Sequence, residues 1–278
     1  MLPDPPESVV ALVERLSKHS YDPIRKAAIP FVAFRGAGRT YGNLNTGVQR
    51  LCNEHGPLVG SDLLNCERRL LDNFRLYAAA HCQLGPTDWD VLALAQHYRL
   101  PTRLLDWTSN PYVALFFATE NDADLEVDGE VWCVRRNKSN ELLPREFSEM
   151  IAGQGNYQLL YLRTVSEKYP RLPSFDSLDT QPLLWLEPPS MDQRIINQYA
   201  FFSVMPGVES STSAWLEHHP SVYWRVPVPK HLKREIRAGL DRMNITYRTI
   251  YPGLEGVARW LAKAYGPKGV SRPSRPLQ

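Results

Sequence analysis

LPTRLLDWTSNPYVALFFA, residues 100–118, changes character halfway. Its first half carries Pro101, Arg103, Asp106, Thr108 and Ser109; its second half is almost wholly apolar. Leu104 to Trp107 reads as a short strand and Asn110 to Thr119 as a helix. Pro111 marks the helix start, with Ser109 or Thr108 as its cap. The N–H groups of a helix's first turn are free to bind an anion, so a capping role and a ligand role are compatible here. The stretch therefore divides: Tyr112 to Ala118 is packing, and Arg103 to Ser109 is a candidate site wall.

Working outward, Ser8 caps an amphipathic helix to Lys18, with Val9, Leu12, Val13 and Leu16 at helical spacing. Ile29 to Arg35 (IPFVAFR) is a strand that runs into a loop rich in glycine. Asp62 to His81 and Asp88 to Tyr98 read as helices, the second capped by Asp88. Gly129 to Arg135 is a strand. Residues 137–192 mix prolines with Tyr, Leu and Trp, and read as loops and short helices over a sheet. Strands resume at Arg194 to Met205 and Ser221 to Pro227. Pro229 to Ile245 is a basic helix, Tyr251 to Tyr265 the last one, and 266–278 a disordered tail. Helices early and strands mostly later indicate one α+β domain.

The 278 residues are 43% hydrophobic and 22% charged, ordinary for a soluble globular chain with a sizeable core. A net charge of +2 makes no general case for nucleic acid or membrane as partner. Cys52, Cys66, Cys82 and Cys133 form no CxxC pair and read as small buried residues in a reducing cytosol. The N-terminus is acidic and proline-rich, unlike a signal peptide, and no apolar run approaches the roughly 20 residues of a spanning helix. The expectation is a cytoplasmic protein. GxSxG and HExxH motifs are absent, so hydrolase and metal-dependent chemistry find little support and no metal is expected.

Single residues leave alternatives open. Arg35 ends an apolar strand, where a guanidinium suits phosphate or carboxylate, or ties down its own loop. Gly36 and Gly38 allow close approach of a ligand. His97 ends a helix, where the dipole favours it. Arg103 and Asp106 suit an internal ion pair or a ligand. Gln198 is a solvent-facing strand residue or a site amide. Glu255 is a first-turn helix acid. The basic helix Lys230 to Arg242, and Arg39, Arg50, Arg68, Arg69 and Arg75, are solvated faces or polyanion contacts.

Taken together, VAFRGAG, QHYRLPTRLLDWTSNPYVALFFA, RIINQYAFF and YPGLEGVARWL resemble the FRG domain family, whose Phe-Arg-Gly motif is Phe34-Arg35-Gly36 here. The resemblance spans 28–265, leaving 1–27 as an N-terminal helical extension. Arg99 stands where the family usually has glycine, and Ala200 where glycine is common. A more distant similarity is to ADP-ribosyltransferases of the Arg–Ser–Glu type. It implies a split, mostly antiparallel β core of about six strands with packed helices, those before Leu100 covering one side. It also implies NAD as substrate, with Arg35 and Gln198 as catalytic residues. Arg35, Gly36, His97, Arg103, Asp106, Thr108 and Ser109 would bind NAD, and the strands bearing Arg35 and Gln198 should be close. Arg35, Ser109 and Gln198 should share one cleft.

Gln198 falls where those enzymes place a glutamate. Cleavage of the nicotinamide–ribose bond develops positive charge, which a carboxylate stabilises and an amide does not. Glu255 or Glu209 would be the substitute acid. The expected activity is ADP-ribosyl transfer from NAD to RNA, DNA or protein, as in a bacterial toxin or anti-phage effector, with a cognate antitoxin as possible partner. The alternatives are a nucleotide- or nucleic-acid-binding module without turnover, and an NAD glycohydrolase.

Overall fold

A computed structural model describes residues 4–18, 21–22, 27–28, 31–54, 56, 58–155, 158–188 and 193–266. The strands are β1 (Tyr21–Asp22), β2 (Ala27–Ala28), β3 (Val32–Ala37), β4 (Leu105–Thr108), β5 (Gly129–Arg135), β6 (Leu160–Tyr161), β7 (Leu184–Glu187), β8 (Ala200–Val204) and β9 (Tyr223–Val228). β1 and β2 form a separate two-stranded ladder. The other seven form one sheet in the order β6-β7-β8-β4-β3-β5-β9, antiparallel throughout except for the β6–β7 pair. The fold is α+β, with one strand more in its sheet than expected.

The helices in the first half are α1 (Val9–Ser17), α2 (Gly47–Glu54), α3 (Ser61–Ala78), α4 (Asp88–His97), α5 (Pro111–Thr119), α6 (Arg136–Asn140) and α7 (Arg145–Gly153). Those in the second are α8 (Leu162–Lys168), α9 (Leu172–Asp176), α10 (Gln193–Asn197), α11 (Thr212–His218), α12 (Lys230–Arg242), α13 (Tyr247–Ile250) and α14 (Leu254–Tyr265).

Strand alternation sorts the core. Val32 and Phe34 of β3, Val131 and Cys133 of β5, and Val226 and Val228 of β9 face α1, α5, α12 and α13. Leu12 and Leu16 of α1 are fully covered there, so this helix is part of the core and not an appendage. On the same sheet face, at the other end, Leu184, Leu186, Phe202 and Val204 pack under α4, α7, α8 and α9. Of the helices before Leu100, α1 lies over one end of this face and α3 and α4 over the other, so these three share one side of the sheet as expected, while α2 packs on α3 through Val48 and Cys52. The opposite face carries Ala33, Trp107, Trp132, Trp185 and Phe201.

Several local expectations change. Thr87, not Asp88, caps α4: its side chain accepts from the Asp90 N–H, and Asp90 reaches back to the Thr87 N–H at 2.9 Å. Asp88 instead binds Arg75, Arg171 and the Leu172 N–H. Asn110 caps α5 by accepting from the Tyr112 N–H at 2.9 Å. Thr108 is the last residue of β4 and is occupied elsewhere. The expected strand from Arg194 to Met205 is a helical turn followed by β8. The Ile pair favours a strand, but the Gln198 N–H donates to Arg194 and the Tyr199 N–H to Ile196, closing the turn. The expected last helix, from Tyr251, begins only at Leu254 as α14, after Pro252 and Gly253, and the short α13 precedes it in a stretch where no helix was expected. The tail beyond Gly266 lies outside the described residues.

Candidate functional site

β3 and β4 sit side by side at the centre of the sheet, yet they share a single register pair, Phe34 with Thr108. β3 pairs with β5 over six residues and β4 with β8 over four. The sheet is therefore two halves that fork apart beyond Phe34. Arg35 is the first residue past the joint, and its guanidinium donates to the Asp106 carbonyl at 2.6 Å. Backbone carbonyls of a strand point within the sheet, so this side chain replaces the ladder bonds that the fork removes. Burial, with repulsion from Arg50 and against the attraction of Asp106, draws the Arg35 pKa down to about 10. The group remains a cation at neutral pH.

Arg35 roots in the row of Trp132, on the face opposite Phe34. On that side it lines a cleft of about 500 Å³ with Tyr41, Asn45, Arg50, Glu54 and Trp132. Arg50, on α2, is braced by the Asn45 carbonyl. Among the described residues neither Arg35 nor Arg50 has a carboxylate ion-pair partner, so the cleft offers two cations to an anion. Trp132 is packed between Tyr223 and the guanidinium of Arg225, and its buried indole N–H has no hydrogen-bond partner among the described residues. Glu130 is fully buried behind it, held by Arg225 and by the Tyr41 N–H. The loop that brings Tyr41 to Arg35 was readable only as glycine-rich, and Arg50 of α2 only as a solvated or polyanion-contacting charge; Trp132, Arg225 and Glu130 carried no local signal at all.

On the other face Asp106 is exposed, although β4 is a central strand. The two helical layers leave this strip of the sheet uncovered. The Gln96 amide, from α4, donates to both Asp106 carboxylate oxygens at 2.9 Å, and Thr102 holds the Gln96 carbonyl at 2.6 Å. Thr108, buried on this face, donates to the Gln198 carbonyl at 2.7 Å and accepts from the Asn110 N–H at 3.0 Å. Ser109 is exposed, and its N–H donates to the Tyr199 carbonyl.

The expected residues are thus only partly brought together. Arg35, Asp106, Thr108 and Ser109 gather at the fork. Gln198 is not a solvent-facing strand residue: it is 8% exposed, and its amide donates to the Ile250 carbonyl at 3.2 Å. It supports Thr108 from behind, and the cleft beside Arg35 is lined by neither Gln198 nor Ser109. Gly36 does not open space for a ligand; a Cβ there would stand 1.8 Å from the Ala114 carbonyl oxygen of α5. Arg103 is buried in an ion network with Glu67, at 2.5 Å, and Asp176, at 2.5 Å, and does not pair with Asp106. Burial works against the Arg103 charge, but these two carboxylates more than offset it and raise its pKa. His97 is half-buried at the end of α4, edge-on to Tyr98. Of the proposed substitute acids, Glu255 pairs with Arg99 and Arg259, and Glu209 accepts from the Gly60 N–H. Arg99 has φ +64, a left-handed conformation that glycine adopts without strain, in keeping with the glycine that the family resemblance leads one to expect there.

This is a mostly antiparallel α+β protein whose central fork is spanned by one arginine. Residues 31–126 match the family model of the FRG domain, and the chain carries that domain. The match takes in β3, β4 and the fork between them; β5 and β8, which flank the fork, lie outside it. No curated protein and no solved structure matches the chain. Among the described residues no helix is long and apolar enough to cross a membrane, and no group of three or more His, Cys, Asp or Glu side chains is placed to hold a metal ion.

Proposed function

We propose that this protein transfers ADP-ribose from NAD to a macromolecule, with NAD bound across the fork between β3 and β4. Arg35 and Arg50 hold the diphosphate, since paired guanidiniums suit phosphate oxygens. Asp106 takes the role first given to Gln198. It is the exposed carboxylate on the central strand, fixed by Gln96 on the face opposite the Arg35–Arg50 cleft, so NAD must pass through the fork for its ribose, where positive charge develops as nicotinamide leaves, to meet it. Gln198 and Thr108 position the end of β4 and do not touch substrate. The observation that carries the reading is the fork itself, with Arg35 joined to β4 at the residue whose side chain is that carboxylate.

The test pairs Arg35→Ala and Asp106→Asn, each checked for folding by circular dichroism. Asp106→Asn keeps NAD affinity within a few-fold while turnover falls by about 10²–10³, the usual loss of one electrostatic group at a developing charge. Arg35→Ala loses NAD binding. Normal turnover in either folded variant overturns the assignment. Incubation with labelled NAD and candidate RNA, DNA or protein separates the activities. Label on a macromolecule supports transfer, free ADP-ribose alone indicates a glycohydrolase, and binding without product indicates a nucleotide-binding module.

A further inference from the structure

We propose that Cys52 and Cys66 are an oxidation site, a thiol pair that a peroxide closes to a disulfide between α2 and α3. Their sulfurs lie 3.5 Å apart. A disulfide needs about 2.05 Å, so the gap to close is small, and the two helices are consecutive in the chain. Cys82 and Cys133 turn their sulfurs to the Ala78 and Val131 carbonyls instead.

The two thiols differ in the way such a pair requires. Cys52 is buried among Val48, Leu63 and Val208. Cys66 is half-exposed and lines an open cleft of about 640 Å³ along α3, beside Arg69. Burial and the adjacent Cys66 thiol push the Cys52 pKa up to about 11, so Cys66 is the first to react. Its thiolate attacks a peroxide oxygen: an S–O bond forms, the O–O bond breaks, and the departing hydroxide takes a proton to become water. The Cys52 sulfur then attacks that sulfenic acid: S–S forms, S–O breaks, and the second hydroxide leaves as water with the Cys52 proton. The pair supplies the two electrons that reduce the peroxide. The disulfide would pin α2, the helix that carries Arg50 and Glu54 to the cleft, against α3. The proposal does not depend on what that cleft binds.

Full-length protein is treated with hydrogen peroxide, alkylated, digested and mapped, alongside Cys66→Ser and Cys82→Ser. The expected product is an intramolecular Cys52–Cys66 peptide that forms equally in Cys82→Ser, is lost in Cys66→Ser, and is reversed by dithiothreitol. Oxidised wild type should melt several degrees above the reduced form, since the closed loop is short but constrains the unfolded chain. Cys66 driven to sulfinic acid with Cys52 still alkylatable overturns the proposal. So do disulfides that involve only Cys82, or four thiols left free.

Discussion

Replacing Gly36 with alanine tests whether the third residue of the Phe-Arg-Gly motif serves packing or ligand. The added Cβ would lie 1.8 Å from the Ala114 oxygen, 2.8 Å from the Ala114 carbon and 2.9 Å from the Ala118 nitrogen. All three are backbone atoms of α5, so no side chain can swing away. Contacts under 3.0 Å are essentially never made by real Cβ atoms, and the first falls 1.2 Å inside that limit. Relief requires β3 and α5 to separate by about that much. α5 has six buried residues of nine, and lifting it opens gaps on every side of it. Overpacking ordinarily destabilises by about 1–3 kcal/mol; with backbone on both sides of the clash, about 3 kcal/mol or more is expected. The assay is urea unfolding of the variant beside Gly42→Ala, where φ is +75 but nothing lies within 4 Å of the new carbon. Gly42→Ala should lose only about 1 kcal/mol, from strain alone. A Gly36→Ala protein as stable as wild type but unable to bind nucleotide would refute the packing argument and restore the ligand-approach reading.

Other outcomes follow from the same geometry. Arg103→Met leaves Glu67 buried without its cation and should cost about 3–5 kcal/mol in denaturant melts; a loss under 1 kcal/mol would show that the network contributes little. Thr108→Val removes a donor to the Gln198 carbonyl and an acceptor for the Asn110 N–H, and should cost about 1–3 kcal/mol of unfolding free energy. Asp88 is partly buried, which alone would raise its pKa, but the Leu172 N–H, Arg171 and Arg75 outweigh this and lower it. A lowered carboxyl pKa stabilises the fold above the unfolded value of about 3.9. The advantage of wild type over Asp88→Asn should therefore be full at neutral pH and vanish as pH falls through the folded value. A gap that stays constant down to pH 2 in melts at successive pH values contradicts this.

Much of the site was legible because its signals are local. Pro111 after a polar turn marked the start of α5, and the apolar run behind it can only be core. Arg35 stood out as a cation at the end of an apolar run, although β3 continues past it to Ala37 in register with β5. What sequence could not give is the company those residues keep. Arg103 and Asp106 are three apart and read as partners, but they sit on opposite sides of a strand start, and Arg103 finds Glu67 and Asp176 from distant helices. Asp88 looked like a cap because it opens the helix, while Thr87 wins the N–H by its extended backbone and the reciprocal Asp90 bond.

By itself the sequence determined the α+β class, the family motif and the strand–turn–helix at residues 104–119, because periodicity, proline and capping chemistry act over a few residues. Only the tertiary structure decided that Gln198 supports from behind, that Asp106 is the exposed carboxylate, and that Arg35 spans a fork. Exposure on a central strand depends on where two helical layers stop. A missing ladder depends on how two half-sheets diverge. Both are set by packing among segments far apart in the chain, and no window of residues contains them.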